Sequence, residues 1–328
     1  MPAVSIIIPT YNRSGYLDRA IKSALSQVDI DFEIIISDNC SDDDTSKVVA
    51  RYLATDKIVY HRHNRNIGMV PNWKYAIFQL AKADWFVLMS DDDYFIDENY
   101  LHDALNGMEI HKNIKFVYGG GYVRDELKNT IREIKFPFEG LVSGLEIFKS
   151  RGTILPQDMM LCNMVFKVED ANSYGFLEEP NNLSCDSEFY LKLSLDGDAY
   201  VINRPVSIYT LHGDNLVKKI RKNKLFLDKN LNHVINPYIY AKSKNIDRQV
   251  INEFRRNSKM DRQIMISLLL LELNDQFAYI DLRSRLMLII PQELNQIETS
   301  FFYKITRYFS VKLRRILLKW VCLSDSGH

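Results

Sequence analysis

One stretch of this sequence decides the fold, and it reads Phe86-Val87-Leu88-Met89-Ser90-Asp91-Asp92-Asp93-Tyr94. Its first four residues form a short, continuous apolar run, which predicts a buried strand. Three carboxylates follow at the strand's carboxyl end, where open α/β sheets bind their ligands. On extended backbone Asp91 and Asp93 point the same way, and two carboxylates held that close need a cation between them. The stretch predicts a divalent-metal site that also holds phosphate, with a solvated acidic turn as the alternative.

Two more predicted strands end at polar residues earlier in the chain. Val4–Ile8 is β-branched and runs into the loop 9–12, and Phe32–Ser37 ends at Asp38. A segment with helical spacing joins them, so the order β-α-β favours a parallel sheet. Because the carboxyl ends of parallel strands meet at one edge, we expect the loop, Asp38 and the three acids to converge there.

Composition is that of a soluble globular protein with one or two domains. The chain has 328 residues, of which 46% are hydrophobic, and its 42 basic residues balance 42 acidic ones, so no overall charge favours nucleic acid. The four cysteines form no CxxC pair, which favours free thiols in a reducing cytoplasm over zinc or disulfides. We expect neither a signal peptide nor a membrane span, because the longest apolar stretch, Ile264–Leu271, is far below the ~18 residues required.

Four motifs occur in order within the first 95 residues or so. They are Ser5–Arg13, Asp38–Thr45, Asn66–Gly68 and Ser90–Asp93. Taken together they resemble the large family 2 of GT-A glycosyltransferases, inverting enzymes that use nucleotide-diphosphate sugars. The resemblance implies an α/β fold with a Rossmann-like, mostly parallel central sheet flanked by helices, followed here by a helical C-terminal region.

The resemblance also implies where the donor binds. The donor-nucleotide residues would be Pro9, Tyr11, Arg13, Asp38, Asn66, Gly68, Asp91 and Asp92. Asp38 would accept a hydrogen bond from the base, which favours a uracil N–H. Asp93, with Asp91, would hold Mn²⁺ or Mg²⁺, hard cations that prefer oxygen ligands. On extended backbone Asp92 faces the other way, so we expect it to be the least needed for the metal.

A second acidic site is predicted where Ser184–Leu193 opens a helix. From the residues alone, helix capping by Asp186 and Glu188 would explain both acids. The family resemblance implies an acidic pair here whose second member is the general base; Cys185 replaces the first acid and Asp186 matches the second. Because an inverting transfer needs one base for the acceptor hydroxyl, we predict Asp186, with Glu188 as second choice. His212 stands where the family has a histidine near the diphosphate and is a further metal-ligand candidate.

Strand and helix signals divide the chain in two. A GT-A catalytic domain is predicted over 1–215, with a nucleotide-binding half at 1–95 and an acceptor-binding half at 96–215. A helical region follows over 216–328. Within the acceptor half, the triple glycine 119–121 is expected to let a strand pass close to another backbone or to the acceptor.

Two basic segments of the helical region leave alternatives open. The run Lys218–Lys224 is either a solvated helix face or a lid over the diphosphate. Between Thr299 and Leu323 no acid occurs, and basic residues alternate with aromatic and aliphatic ones. This pattern favours an amphipathic helix on an anionic membrane surface over a helix packed on the catalytic domain.

The leading hypothesis is an inverting, metal-dependent glycosyltransferase that uses a nucleotide-diphosphate sugar, with UDP favoured. From the resemblance, its acceptor would be a hydroxyl of a lipid-linked glycan, as in bacterial O-antigen or capsule synthesis. We expect it in the cytoplasm, peripheral on the cytoplasmic face of the inner membrane. One alternative is a non-catalytic nucleotide-sugar-binding subunit, supported only by Cys185. Another is a sugar nucleotidyltransferase, which would need a Gly-rich, basic loop after the first strand.

Overall fold

The computed structural model describes residues 1–111, 113–153, 160–180, 182, 184–213, 215 and 231–308. Tertiary contacts divide the chain into two compact units, Met1–Asn215 and Leu216–His328. The predicted basic run Lys218–Lys224 and the tail beyond Tyr308 lie outside the described residues.

The first unit begins with alternating strands and helices. In chain order they are β1 (Val4–Thr10), α1 (Ser14–Leu25), β2 (Phe32–Asp38), α2 (Thr45–Ala50), β3 (Ile58–Arg62), α3 (Met69–Tyr75) and β4 (Trp85–Leu88). The strands lie in the order β3-β2-β1-β4, and all three pairings are parallel. Every residue of β1 and β2 is buried, as expected for a sheet covered on both faces. The carboxyl ends of β1, β2 and β4 therefore meet at one edge, which confirms the predicted convergence.

The second part of this unit adds six strands to the same sheet. Its elements are β5 (Tyr94–Phe95), α4 (Tyr100–Ile110), β6 (Ile114–Asp125), β7 (Thr130–Ile134), β8 (Gly140–Val142), α5 (Gly144–Lys149), β9 (Met164–Lys167), α6 (Val168–Ser173), α7 (Cys185–Leu193) and β10 (Asp198–Leu211). The sheet continues as β4-β9-β6-β10-β5, with β7 beside β6 and β8 beside β10. Since β9 is antiparallel to both neighbours while β6 and β10 are parallel, the sheet as a whole is mixed.

The sequence pattern predicts helices over 73–83 and 96–111 and separate strands over 199–202 and 206–211, and all of these boundaries were wrong. The helix expected from Ile96 begins only at Tyr100, because residues 94–95 pair with β10 as a short strand. The helix expected from Trp73 begins at Met69 and continues as a π-helical turn over Ala76–Leu80. The two strands expected at the end of the unit are one strand, β10, with irregular pairing around Pro205, which has no N–H to donate.

The triple glycine lies in β6 opposite the irregularly paired part of β10 around Pro205. A Cβ on Gly120 would be 2.9 Å from the carbonyl oxygen of Arg204, and one on Gly119 would be 2.5 Å from Val206. Gly121 leaves room for the amide of Asn163, which donates to the carbonyls of Gly119 (2.9 Å) and Gly120 (2.7 Å). The expected close approach of backbones is confirmed.

The second unit is helical in its described part. It contains α8 (Asn232–Ser243), α9 (Arg248–Asn257), α10 (Met260–Asn274), α11 (Gln276–Ile289), α12 (Pro291–Thr299) and α13 (Phe301–Tyr308). The apolar run of α10 is its core, with Ile264, Leu268 and Leu271 all buried. Over the described residues, no helix combines the length and the apolar character that crossing a membrane would require.

Candidate active site

The three acids after β4 lie in a tight turn. The backbone N–H of Asp93 donates to the carbonyl of Ser90 at 3.1 Å, so the chain reverses directly after β4. The side-chain alternation that we predicted for extended backbone is therefore wrong at this point. The alternative of a solvated acidic turn is half right, because the turn exists but all three carboxylates are buried. We refer to residues 91–93 as the acid turn.

Asp91 is held by the last residue of β1 and by a residue of the loop that follows it. The hydroxyl of Thr10 donates to its Oδ2 at 2.7 Å, and the guanidinium of Arg13 donates to its Oδ1 at 3.1 Å. Burial raises the pKa of Asp91 to about 7, and the neighbouring Asp92 carboxylate adds to the shift, while Arg13 and Thr10 oppose it. The first and fourth strands thus meet through this carboxylate, and a further cation nearby would favour its charged form.

Asp92 is the most connected member of the acid turn. Its Oδ2 lies 2.8 Å from Arg13 Nη1, 2.8 Å from His212 Nε2 and 3.2 Å from Asn215 Nδ2. Our expectation that it faces away from Asp91 was wrong, because the turn brings both carboxylates to the same guanidinium. Asp92 instead holds the residues that follow β10 against the acid turn.

His212 occupies a defined place in this cluster. Its ring stacks on Tyr16 of α1 with centroids 4.7 Å apart, while its Nε2 faces Asp92. The predicted proximity of His212 to the acid turn is therefore observed, although its partner here is a carboxylate. Sequence reasoning missed Asn215 and Tyr16, since nothing in either local pattern signals a contact so far along the chain.

Asp93 is the acid best arranged to accept a metal. Its Oδ1 accepts the backbone N–H of Thr210 at 2.9 Å, and its Oδ2 accepts no hydrogen bond from the described residues. Burial raises the pKa of Asp93 well above its ordinary value, with the charge of Asp92 next in importance. A buried carboxylate with one oxygen available fits a hard divalent cation.

A complete cage of protein ligands is not expected for such a cation. Within the described part of the chain, no group of three or more His, Cys, Asp or Glu side chains is placed to hold a metal. Mg²⁺ is usually bound through one or two carboxylates plus phosphate oxygens, and Asp93 and Asp91 fit that mode.

Asp38 lies fully buried at the end of β2. Its Oδ1 accepts the backbone N–H of Ser41 at 2.8 Å, and its Oδ2 accepts the hydroxyl of Tyr60 at 2.8 Å, with Arg62 Nε at 3.5 Å. These contacts fix the loop that leads into α2. A carboxylate has about four acceptor positions, so these bonds leave acceptor capacity unused that a further donor such as a base N–H would need.

The remaining predicted donor residues differ in character. Asn66 Oδ1 accepts from the side chain of Asn39 at 3.0 Å and from the N–H of Gly68 at 2.9 Å, so it shapes the loop before α3. Gly68 has φ +94°, a conformation that L side chains rarely adopt. Pro9 is buried within β1, whereas Tyr11 is exposed at the sheet edge.

The two acids of α7 have different surroundings. Asp186 is half-buried and accepts the backbone N–H of Ser187 at 2.7 Å, and no described side chain is hydrogen-bonded to it. Burial raises its pKa above the ordinary aspartate value, against the opposing effects of the Ser187 bond and the charge of Arg151. Glu188 is tied down by Lys192 (2.5 Å) and Asn182 (2.8 Å). The structure therefore leaves Asp186 the more available base.

Cys185 cannot serve as the acid that the family resemblance implies at its position. Its thiol is buried, and burial raises its pKa well above the usual value. It stays protonated and packs as a small apolar side chain.

An aromatic core connects the two acidic sites. Phe86 of β4 lies 5.7 Å from Phe166 of β9, which lies 4.9 Å from Phe189 of α7. Phe176 closes the group, 4.5 Å from Phe189 and 6.3 Å from Phe86. All four rings are buried. The strand that leads into the acid turn and the helix that carries Asp186 are therefore packed on the same side chains.

A buried polar network beside the acid turn was also missed. The side chains of Asn163 and Ser207 are hydrogen-bonded to each other, and Cys162 Sγ lies 3.1 Å from Ser207 Oγ. Tyr100 donates to the carbonyl of Asn163 at 2.5 Å. The triple glycine was the available signal, since a strand without side chains must face something that fills the space.

A family model described as Glycosyl transferase family 2 matches residues 5–171, about half of the chain. The match includes Asp38 and the acid turn and ends before Asp186.

Among curated proteins, the chain is similar to a GalNAc(5)-diNAcBac-PP-undecaprenol beta-1,3-glucosyltransferase of Campylobacter jejuni. The two are 38% identical over 150 residues, which is 45% of this chain and 47% of that protein. The chain spans about half the length, or less, of the curated relatives that it matches.

Solved structures share the fold at low identity. Residues 1–349 of S. aureus TarS, crystallised with UDP-GlcNAc, superpose with a TM-score of 0.67 at 16% identity, covering 90% of this chain and 83% of that one. The mannosyltransferase PcManGT of Pyrobaculum calidifontis, in complex with GDP-Man and Mn²⁺, gives a TM-score of 0.54 at 16% identity, covering 93% and 85%.

Proposed function

This chain belongs to glycosyl transferase family 2, and on that basis we propose that it transfers a sugar, with inversion, from a nucleotide diphosphate to a glycan hydroxyl. The observation that carries the proposal is the buried acid turn at the meeting point of β1, β2 and β4. Buried carboxylates with raised pKa values are costly to ionise unless a cation is present, and a diphosphate brings its cation with it.

We further propose a UDP-sugar as donor, with a divalent cation. The support is the UDP-GlcNAc bound to the TarS neighbour and the Mn²⁺ bound to the mannosyltransferase neighbour. Asp93 and Asp91 would hold the metal, and Asp38 would accept the imide N–H of the base. When bound, the metal would act as a Lewis acid that stabilises charge on the departing diphosphate.

Asp186 is the proposed base. The acceptor hydroxyl oxygen forms a bond to the anomeric carbon, the bond from that carbon to the diphosphate oxygen breaks, and the hydroxyl proton passes to Asp186. A raised pKa makes this carboxylate a stronger base than an ordinary aspartate. Arg13, now hydrogen-bonded to Asp91 and Asp92, is close enough to the acid turn to contribute charge to the leaving group.

The acceptor is proposed to be a lipid-linked glycan of a bacterial surface polysaccharide. The support is the Campylobacter relative, whose name gives an undecaprenol diphosphate-linked substrate. Such an acceptor would place the protein at the cytoplasmic face of the inner membrane, peripherally bound. The acid-free stretch between Thr299 and Leu323 supports this placement by its composition.

A binding screen tests the proposal. UDP-, GDP-, CDP- and dTDP-sugars would be titrated into the full chain with Mn²⁺ and with a chelator, and slow donor hydrolysis would be followed in parallel. We expect UDP-sugars to bind, and to bind more tightly with Mn²⁺. Binding of none of the four classes would contradict the proposal. Release of pyrophosphate from UTP and a sugar phosphate would indicate a nucleotidyltransferase instead.

A further inference from the structure

Exposed apolar side chains are concentrated at the end of the described chain. Of the 19 large hydrophobic residues that are exposed among the described residues, nine lie within 277–308. The most exposed of the nine are Tyr308 (92%), Phe277 (85%) and Leu288 (83%). Large contiguous apolar patches are rare on monomeric proteins and usually mark interaction sites.

Helix α11 is apolar on two faces. One face packs inside the helical unit through Tyr279, Leu282 and Leu286. The other presents Phe277, Ile280 and Leu288 to the outside at intervals of three and eight residues, which keeps them on one side of the helix. A helix with apolar residues on both faces is ordinarily covered on both.

Helix α13 continues this outer surface. A groove of about 690 Å³ lies between the two helices, with Ile280 and Ser284 of α11 on one wall and Lys304 and Tyr308 of α13 on the other. Two of the exposed apolar side chains, Ile280 and Tyr308, therefore lie on opposite walls of the same groove. We refer to this combined surface as the outer face of α11 and α13.

The charges on this surface favour an anionic partner. Its neighbouring acids are held by arginines: Glu298 by Arg283 (2.6 and 2.8 Å), Asp281 by Arg285 (3.2 Å) and Glu272 by Arg307 (2.5 Å). Each of these pairs is neutral, so Lys304 supplies the net positive charge among the groups named for this surface. The sequence that follows Tyr308, through Leu323, contains four more basic residues and no acid. A second copy of this chain, docked face to face, would bring like charges together, whereas a lipid surface with phosphate headgroups would complement them.

We propose that the outer face of α11 and α13 docks on a membrane rich in anionic phospholipid. Phe277 and Leu288 enter the boundary between headgroups and acyl chains, and Lys304 meets lipid phosphates. This inference rests on the proposed function, because a lipid-linked acceptor would be embedded in the membrane to which the protein binds. It adds helix α11, which lies outside the basic stretch 299–323, as a second membrane-binding element.

Vesicle sedimentation of the full chain tests the proposal. The variant Phe277→Ser/Leu288→Ser would be compared with wild type on vesicles of phosphatidylcholine with and without phosphatidylglycerol. We expect wild type to prefer the phosphatidylglycerol vesicles and to lose binding as salt is added. We expect the double variant to bind them about 100-fold more weakly, because two large apolar side chains no longer leave water. Lys304→Glu should weaken binding to the same vesicles even if the double variant folds poorly.

Matched controls make the outcome decisive. Leu127→Ser/Ile131→Ser changes two similarly exposed apolar residues around the β6–β7 turn and should bind vesicles like wild type. Unchanged vesicle binding by both Phe277→Ser/Leu288→Ser and Lys304→Glu would overturn the proposal. It would also be overturned if these variants changed only the self-association of the protein, measured by light scattering. If removal of residues 309–328 abolished binding while the double variant bound normally, α11 would play no part. Donor titration in the same variants reports on the proposed function separately.

Discussion

The acid turn and the acids of α7 are both small clusters of carboxylates, yet they are built differently. In the acid turn all three carboxylates are buried and each has partners, which come from β1, from Arg13 before α1, from β10 and from the residues after β10. In α7 one acid, Glu188, is tied to Lys192 and Asn182, while Asp186 has only backbone hydrogen-bond partners among the described residues.

The two arrangements suit two different chemical roles, cation binding and proton transfer. Carboxylates that are buried and close together are suited to holding a cation, since their mutual repulsion and desolvation are relieved when it binds. A single carboxylate with a raised pKa and no side-chain partner is suited to taking a proton. The shared aromatic core of Phe86, Phe166 and Phe189 keeps the two sites in a fixed relation.

The largest expected effect separates the two acids of α7. Asp186→Asn should lower turnover by about 10²–10⁴-fold, the usual contribution of a general base, and leave the affinity for UDP nearly unchanged. Glu188→Gln is the matched control and should retain most of the activity, because it removes only the charge of a partly buried helical pair with Lys192, whose ammonium can still donate to the amide oxygen of Gln. Steady-state kinetics and UDP titration of both variants would show the contrast. Equal losses in the two variants would reassign the base.

A second variant tests how much the contacts of Asp92 contribute to the stability of the protein. Asp92→Asn removes the negative charge of the oxygen that three donors share, so Arg13, His212 and Asn215 are left with a neutral amide that can serve them less well. We expect the free energy of unfolding to fall by about 1–3 kcal/mol, the cost of leaving buried polar groups poorly satisfied.

The control for this variant is an exposed aspartate of the same unit. Asp44→Asn removes only the exposed pair with Lys47 and should change stability by less than about 0.5 kcal/mol. Both would be measured by urea unfolding. If the Asp92→Asn protein were as stable as the Asp44→Asn protein, the contacts around Asp92 would not stabilise the fold.

The smallest effect expected is a shift in pH dependence. Because burial raises the pKa of Asp186, the ionised base is present only above that raised value, and turnover should fall as pH falls through it. The acidic limb of the kcat profile should therefore lie above the range of an ordinary aspartate, about 3.9. A limb at or below that value would mean that Asp186 is more hydrated than its position in α7 indicates.

The fold around the acid turn could be predicted well, and for a physical reason. β1, β2 and β4 are mostly apolar runs, each ending in polar residues or followed closely by them, and parallel pairing alone brings those ends together. The same reasoning gave the wrong side-chain directions for Asp91 and Asp92, which follow β4. Side-chain alternation holds only on extended backbone, and the bond from the N–H of Asp93 to Ser90 ends that backbone.

The partners of the acid turn could not have been predicted. Thr210, His212 and Asn215 come to it from about 120 residues further along the chain, through the pairing of β10 with β5 and β6. Only the family resemblance singled out His212. The amide of Asn163 filling the space beside Gly121 depends in the same way on tertiary packing.

The coupling between Mn²⁺ and UDP binding tests most directly whether the acid turn holds the donor's cation. UDP would be titrated calorimetrically into wild type, Asp93→Asn and the Asp44→Asn control, each with Mn²⁺ and with a chelator. We expect Mn²⁺ to tighten UDP binding by about 10–100-fold in wild type and in Asp44→Asn, and to have almost no effect in Asp93→Asn. The same Mn²⁺ dependence in Asp93→Asn as in wild type would contradict the assignment of the acid turn as the metal site.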